Sequence, residues 1–154
     1  MEHLPVLLLS GVNLDLLGTR EPEIYGTRTL DDHLATARRA AAGHGLSVIH
    51  QQSNFEGELV GLIHGARTTT SAIVINPAAF THYSYALHDA LAAYPHPIIE
   101  LHLSNPHARE SFRHTSVVSP VATATIAGLG GHGYRLAIDA VAALLGAGDS
   151  GSGD

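Results

Sequence analysis

Short apolar runs separated by helical patterns recur along nearly the whole chain, and this alternation restricts the fold more than any other feature of the sequence. Residues 5–9 read as a buried strand, 30–42 as an Ala-rich helix stopped by Gly43 and Gly45, and 46–50 as a second strand. Residues 56–67 read as helix, 72–75 as a third strand and 83–94 as helix. A fourth strand follows at 98–103, a fifth at 122–127 and a last helix at 134–145. Strand–helix alternation with uninterrupted apolar strands predicts a parallel sheet covered on both faces.

Five such strands in 154 residues fit a flavodoxin-like α/β sandwich of three layers, its five-stranded parallel sheet ordered 2-1-3-4-5. Residues 1–146 are expected to form one domain, and the Gly/Ser/Asp-rich tail 147–154 to be disordered. The net charge of -6, with only eight Lys and Arg, weighs against nucleic-acid binding, which needs a basic face. The absence of cysteine excludes disulfides, thiol catalysis and thiolate metal sites. No basic segment precedes a long apolar run, and no stretch reaches the ~20 apolar residues of a membrane span. The expected address is therefore cytoplasmic, with no membrane partner. Charged residues are only 14% of the chain, which suggests surface hidden in a homo-oligomer, because interfaces are depleted of Lys, Glu and Asp.

In sheets of this kind ligands bind beyond the carboxyl ends of the strands, near the switch point between strands 1 and 3. Asn13 and the loop holding Arg20 and Tyr25 follow strand 1; Asn76, Pro77 and then His82 follow strand 3; His102, Ser104 and Asn105 close strand 4. The loop Gly18-Thr-Arg-Glu-Pro-Glu-Ile-Tyr-Gly26 sets an Arg and a Tyr between two glycines. A cation held close to a tyrosine hydroxyl favours the phenolate; at ~4 Å and an effective dielectric of ~20 the attraction is about 4 kcal/mol. The loop is a candidate proton-abstracting lid. Alone, it reads more readily as a surface turn with an Arg and an apolar-packed Tyr.

Glu100 and His102, two apart on strand 4, share a face. A carboxylate beside an imidazole fixes its tautomer and favours its protonated form, which suits a general acid; the alternative is two unrelated polar residues on a half-exposed strand. Arg109 and Arg113 would stack on one face of a helical turn, where an anionic ligand would offset their repulsion; the alternative is a solvated basic face. Residues 128–133 match G-x-G-x-x-G, but the dinucleotide fingerprint belongs after the first strand, so close packing of the last helix is the better reading. Twelve histidines are scattered without H-E-x-x-H spacing, and no metal site is expected.

Taken together, the blocks at 13–26, 52–58, 75–77, 81–82, 87–91, 100–105, 107–114, 128–130 and 133–134 resemble the type II 3-dehydroquinate dehydratases, over residues 7–145. The resemblance implies a trans-elimination of water through an enolate, with no metal, cofactor or Schiff base. It implies that Tyr25 is the base, Arg20 its activating lid arginine, Asn13 the holder of a water at the enolate oxygen, His102 the acid and Glu100 its orienting partner. Asn76, His82, Arg113 and the backbone at Leu103 and Ser104 match substrate-gripping positions. Arg109 matches a second basic residue near the tyrosine. Asp89 matches an acidic residue reaching a neighbouring subunit's site, and the family commonly forms dodecamers built from trimers. The chain departs from the pattern at Ser10, Val12, Phe55, Ala78, Phe80, Tyr83 and His88, none of them a proton-transfer residue. A related substrate, the 5-amino analogue of dehydroquinate, would need the same chemistry. A non-catalytic flavodoxin-like binding module would instead need a phosphate-cradling loop after strand 1, and Arg20-Glu21-Pro22 is not one.

Overall fold

The computed structural model describes residues 2–147; the tail expected at 147–154 lies outside them except for Ala147. Five parallel strands are ordered β2-β1-β3-β4-β5: β1 (Val6–Ser10), β2 (Val48–Gln52), β3 (Ala72–Asn76), β4 (Ile98–His102) and β5 (Ala124–Ala127). The one-turn helix α1 (Pro22–Tyr25) is followed by α2 (Leu30–Gly43), α3 (Glu56–Ala66), α4 (Tyr85–Ala92) and α5 (His132–Leu145). Among the described residues no helix is long and apolar enough to cross a membrane.

The expected strand order is the observed one, and the strand sequences give the reason. Val6-Leu-Leu-Leu-Ser10 and Ala72-Ile-Val-Ile-Asn76 are buried at every position, as central strands covered on both faces must be. Alternate residues divide between two cores. Val6, Leu8, Val74, Ile99 and Leu101 pack with Leu34, Ala37, Ile138 and Val141 of α2 and α5. Leu7, Leu9, Ile73, Ile75 and Ile98 pack with Leu59, Ile63, Leu87 and Leu91 of α3 and α4.

Element ends shift where turn hydrogen bonds and capping side chains override apolar pattern. The second strand begins at Val48, not at residue 46, because Leu46 still closes the turn after α2 through its N–H to Ala41 (2.8 Å); Val48 is the residue that pairs with Val6. The helix expected from 83 begins at Tyr85, where the Ser84 hydroxyl caps the Leu87 N–H (3.1 Å). Thr29 and Asp32 form a reciprocal capping box that starts α2. Residues 106–121 fold into three short 3-10 turns, so Arg109 and Arg113 do not share a helix: Arg109 is extended, between the turns Pro106–Ala108 and Ser111–His114.

The G-x-G-x-x-G segment enters α5 and takes part in close packing. His33 of α2 is fully buried, stacks on Tyr134 of α5 (5.0 Å between centroids, 11° between planes), and finds no hydrogen-bond partner for either ring nitrogen among the described residues. Burial, and then the charge of Arg28, hold this imidazole below the usual histidine range. A Cβ at Gly131 would lie 2.5 Å from His33 Cε1, so the ring occupies the space a side chain at 131 would need.

Candidate active site

At the carboxyl ends of β1, β3 and β4 a single cleft gathers Asn13, Arg20, Tyr25, Asn76, His82, His102, Leu103, Ser104, Arg109 and Arg113. Ten of the twelve sequence-nominated residues therefore share one wall or another of it. Glu100 lies directly behind His102. Asp89 is elsewhere: on α4, with its side chain 82% exposed and bonded to His88 (2.8 Å).

The β1 side of the cleft is held by backbone geometry. Gly11 lets the ends of β1 and β3 close together, for a Cβ there would sit 2.3 Å from the Pro77 carbonyl oxygen. Its N–H donates to the Asn76 carbonyl (2.8 Å). Asn13 follows in the left-handed region (φ 66°), a conformation asparagine tolerates better than most residues. The Asn13 N–H donates to Asn54 Oδ1 (2.8 Å), which also accepts from Gln52 Nε2 (3.1 Å). Across the floor, Asn76 Oδ1 accepts the N–H of Ala78 (3.0 Å), itself left-handed at φ 55°.

Tyr25 ends α1, which starts from a left-handed Glu21 (φ 40°). The loop pairs the tyrosine with Arg20 and the resemblance puts Arg109 near it; in the structure Arg109 is the partner of the hydroxyl. Arg109 Nη1 donates to Tyr25 Oη at 2.7 Å and to Ser104 Oγ at 3.4 Å. Both guanidinium carbons lie 5.2 Å from the Tyr25 ring centroid, and Arg20 is also paired with Glu21 (3.3 Å). Two guanidinium groups thus flank one phenol, Arg109 at its hydroxyl and both over its ring.

On the opposite side His102 Nε2 donates to Glu100 Oε2 at 2.6 Å. Glu100 is completely buried, yet Thr81 Oγ1 (2.5 Å) and Ser116 Oγ (3.0 Å to each oxygen) also donate to it. Burial pushes its carboxyl up most strongly, but the His102 hydrogen bond and charge, with those of Thr81 and Ser116, together hold it below the usual glutamate range. His82 donates from Nδ1 to the Thr115 carbonyl (2.8 Å), leaving Nε2 free of a protein partner among the described residues; burial lowers its proton affinity. Arg113 is braced by Glu110 and by the Phe112 ring (4.6 Å to the centroid).

Sequence reasoning did not nominate Thr81, Ser116 or Asn54. Thr81 and Asn54 lie inside motifs already singled out, so adjacency was the available signal; Ser116 sits in an irregular segment with none. Of the seven departures, Val12 and Ala78 line the cleft. Ser10 and Phe80 are buried, and Ser10 shares a hydrogen bond with His50 (3.0 Å). Phe55 and Tyr83 are exposed, and His88 stands on α4.

The chain matches the model of the family described as dehydroquinase class II over residues 4–142. It is 54% identical to the 3-dehydroquinate dehydratase of Caulobacter sp. (strain K31), covering 93% of this chain and 97% of that one. It is 54% identical to the 3-dehydroquinate dehydratase of Corynebacterium glutamicum (strain R), with 90% and 96% covered. Among solved structures, the type II dehydroquinase from Propionibacterium acnes superposes with a TM-score of 0.87 at 48% identity, over 90% of this chain and 96% of that one.

Proposed function

Because the chain belongs to the class II dehydroquinase family, we propose that it dehydrates 3-dehydroquinate to 3-dehydroshikimate, with Tyr25 as base and His102 as acid. The observation that carries this reading is the pairing, across one cleft, of a phenol hydrogen-bonded to a guanidinium with an imidazole hydrogen-bonded to a buried carboxylate.

Tyr25, as phenolate, removes the proton on the carbon between the ketone and C1. The electron pair moves onto the ketone oxygen as an enolate, which a water held by Asn13 stabilises. The enolate collapses, the double bond forms toward C1, and the C1–oxygen bond breaks. His102 gives its proton to the departing hydroxyl, which leaves as water, and Glu100 holds the imidazole in place while this happens. Arg20 and Arg109 stabilise the phenolate. Asn76, His82, Arg113 and the backbone of Leu103 and Ser104 grip the carboxylate and hydroxyls. No step needs a metal or cofactor.

Asp89, exposed on α4, serves the cleft of a neighbouring copy within a homo-oligomer, a dodecamer of trimers; its exposure and its place outside the lining of its own cleft support this. Sedimentation of the purified chain as a monomer would remove that part of the reading. The substrate departures reduce to Val12 and Ala78, so the 5-amino analogue is the one competitor worth assaying in parallel. Enone absorbance should grow with dehydroquinate and stay flat in Tyr25→Phe. No absorbance change with either compound would refute the proposed activity.

A further inference from the structure

Ser116 is remote in sequence from the acid, yet five short polar contacts meet at its hydroxyl. Oγ accepts the N–H groups of Ser119 (2.9 Å) and Val118 (3.2 Å), lies 3.0 Å from both carboxylate oxygens of Glu100, and is 3.0 Å from Thr81 Oγ1. A hydroxyl has one proton and two lone pairs. The two backbone N–H groups occupy the lone pairs, so the one proton must be given away. A carboxylate beats a neutral hydroxyl as acceptor, so that proton goes to Glu100. Thr81 Oγ1, at 2.5 Å from Oε2, also directs its proton there. Glu100 then faces three donors, and no acceptor competes for a proton placed on it. A carboxylate surrounded only by donors is held ionised even when buried.

We infer that Ser116 is a positioning residue for the dehydration: its backbone-locked hydroxyl keeps Glu100 an anionic acceptor, and thereby keeps a proton on His102 Nε2 so that Nδ1 is the nitrogen that carries protons to and from the substrate. The inference rests on the assignment of His102 as the acid. The titratable and charged groups sharing this cavity are His82, His107 and His114, Arg113, and Glu100 and His102 themselves. The hydrogen bond of Ser116 also acts to lower the proton affinity of Glu100, against burial.

Ser116→Ala removes one donor from a buried anion. Hydrogen bonds to charged groups are worth about 1.5–3 kcal/mol, or roughly tenfold or more in protonation equilibrium. The acidic limb of the kcat profile should move up by about one pH unit or more, kcat at the optimum should fall, and KM should hold. Ser116→Thr, which keeps the hydroxyl, should restore the wild-type profile. Ser116→Cys, a near-isosteric weak donor, should fall between, and it serves if the alanine variant does not fold. The 15N resonances of the His102 ring, followed against pH without substrate, read the same wiring whether or not the protein turns dehydroquinate over. In wild type they should show the proton resident on Nε2, and in Ser116→Ala a displaced titration. Superimposable ring titrations in wild type, Ser116→Ala and Ser116→Cys would overturn the inference. A displaced titration together with a wild-type protein that dehydrates nothing would leave the wiring standing and sink only the assigned reaction.

Discussion

Tyr25 stands on a single helical turn with no buried residue, whereas His102 ends a strand whose four preceding residues are all buried. The tyrosine reaches its position through left-handed Glu21 and two side-chain cations; the histidine reaches its own through the sheet, with Glu100, Thr81 and Ser116 behind it. Local opening costs little where few apolar contacts are made and much where a central strand must unpack. The proposed base thus stands on an element with few buried contacts, and the proposed acid on one anchored in the sheet. One half of the cleft is therefore fixed by the core and the other by a few polar contacts.

The contrast is broken most directly by removing each group. Tyr25→Phe should reduce kcat by roughly 10²–10⁴-fold while leaving urea stability within about 0.5 kcal/mol of wild type. Glu100→Gln should damage both: it strands three donors around a neutral amide, and breaking buried charge arrangements costs about 3–5 kcal/mol, read as a lowered urea midpoint. Equal stability losses in the two variants would refute the division. Arg109→Ala, which removes the bond to the Tyr25 hydroxyl, should cost about tenfold or more in kcat/KM; Arg20→Ala should cost less, since that guanidinium lies over the ring and is shared with Glu21. The reverse order, measured at one pH, would mean that the lid closes differently with substrate bound.

Acid sharpens the comparison further. Glu100 has a lowered proton affinity in the folded protein, so its contribution to stability is present above the ordinary glutamate range and is lost as pH falls through its folded value. Glu100→Gln should flatten that part of the stability curve, and Tyr25→Phe should leave it unchanged. The smallest effect belongs to Ala78, a left-handed non-glycine residue in the cleft floor. Relief of its strain, offset by the entropy of glycine, should make Ala78→Gly about 0.5–1 kcal/mol more stable. A destabilised variant in thermal unfolding would show that the methyl group packs more favourably than its backbone suggests.

These two halves were also unequally legible. β1 and β3 announce themselves, because only a strand covered on both faces tolerates Val-Leu-Leu-Leu or Ala-Ile-Val-Ile without a polar break. Glu100 interrupts such a run, and a carboxylate in an apolar strand needs a partner, so the His102 pair could be read from spacing. Arg109 was placed near the tyrosine by the family resemblance alone, not by spacing: its contact with Tyr25 spans 84 positions, and the segment holding it is set by 3-10 turns rather than by a periodic face. Ser116 was hidden for the same reason, since a serine in an irregular stretch looks the same whether it faces solvent or a buried anion.

The close approach of His33 to Gly131 couples two helices through one ring. With the ring filling the room of a Cβ, a side chain at 131 would have to displace the imidazole, and a smaller residue at 33 would leave a void that a side chain at 131 could refill. The cost of a substitution at either position therefore depends on the residue at the other.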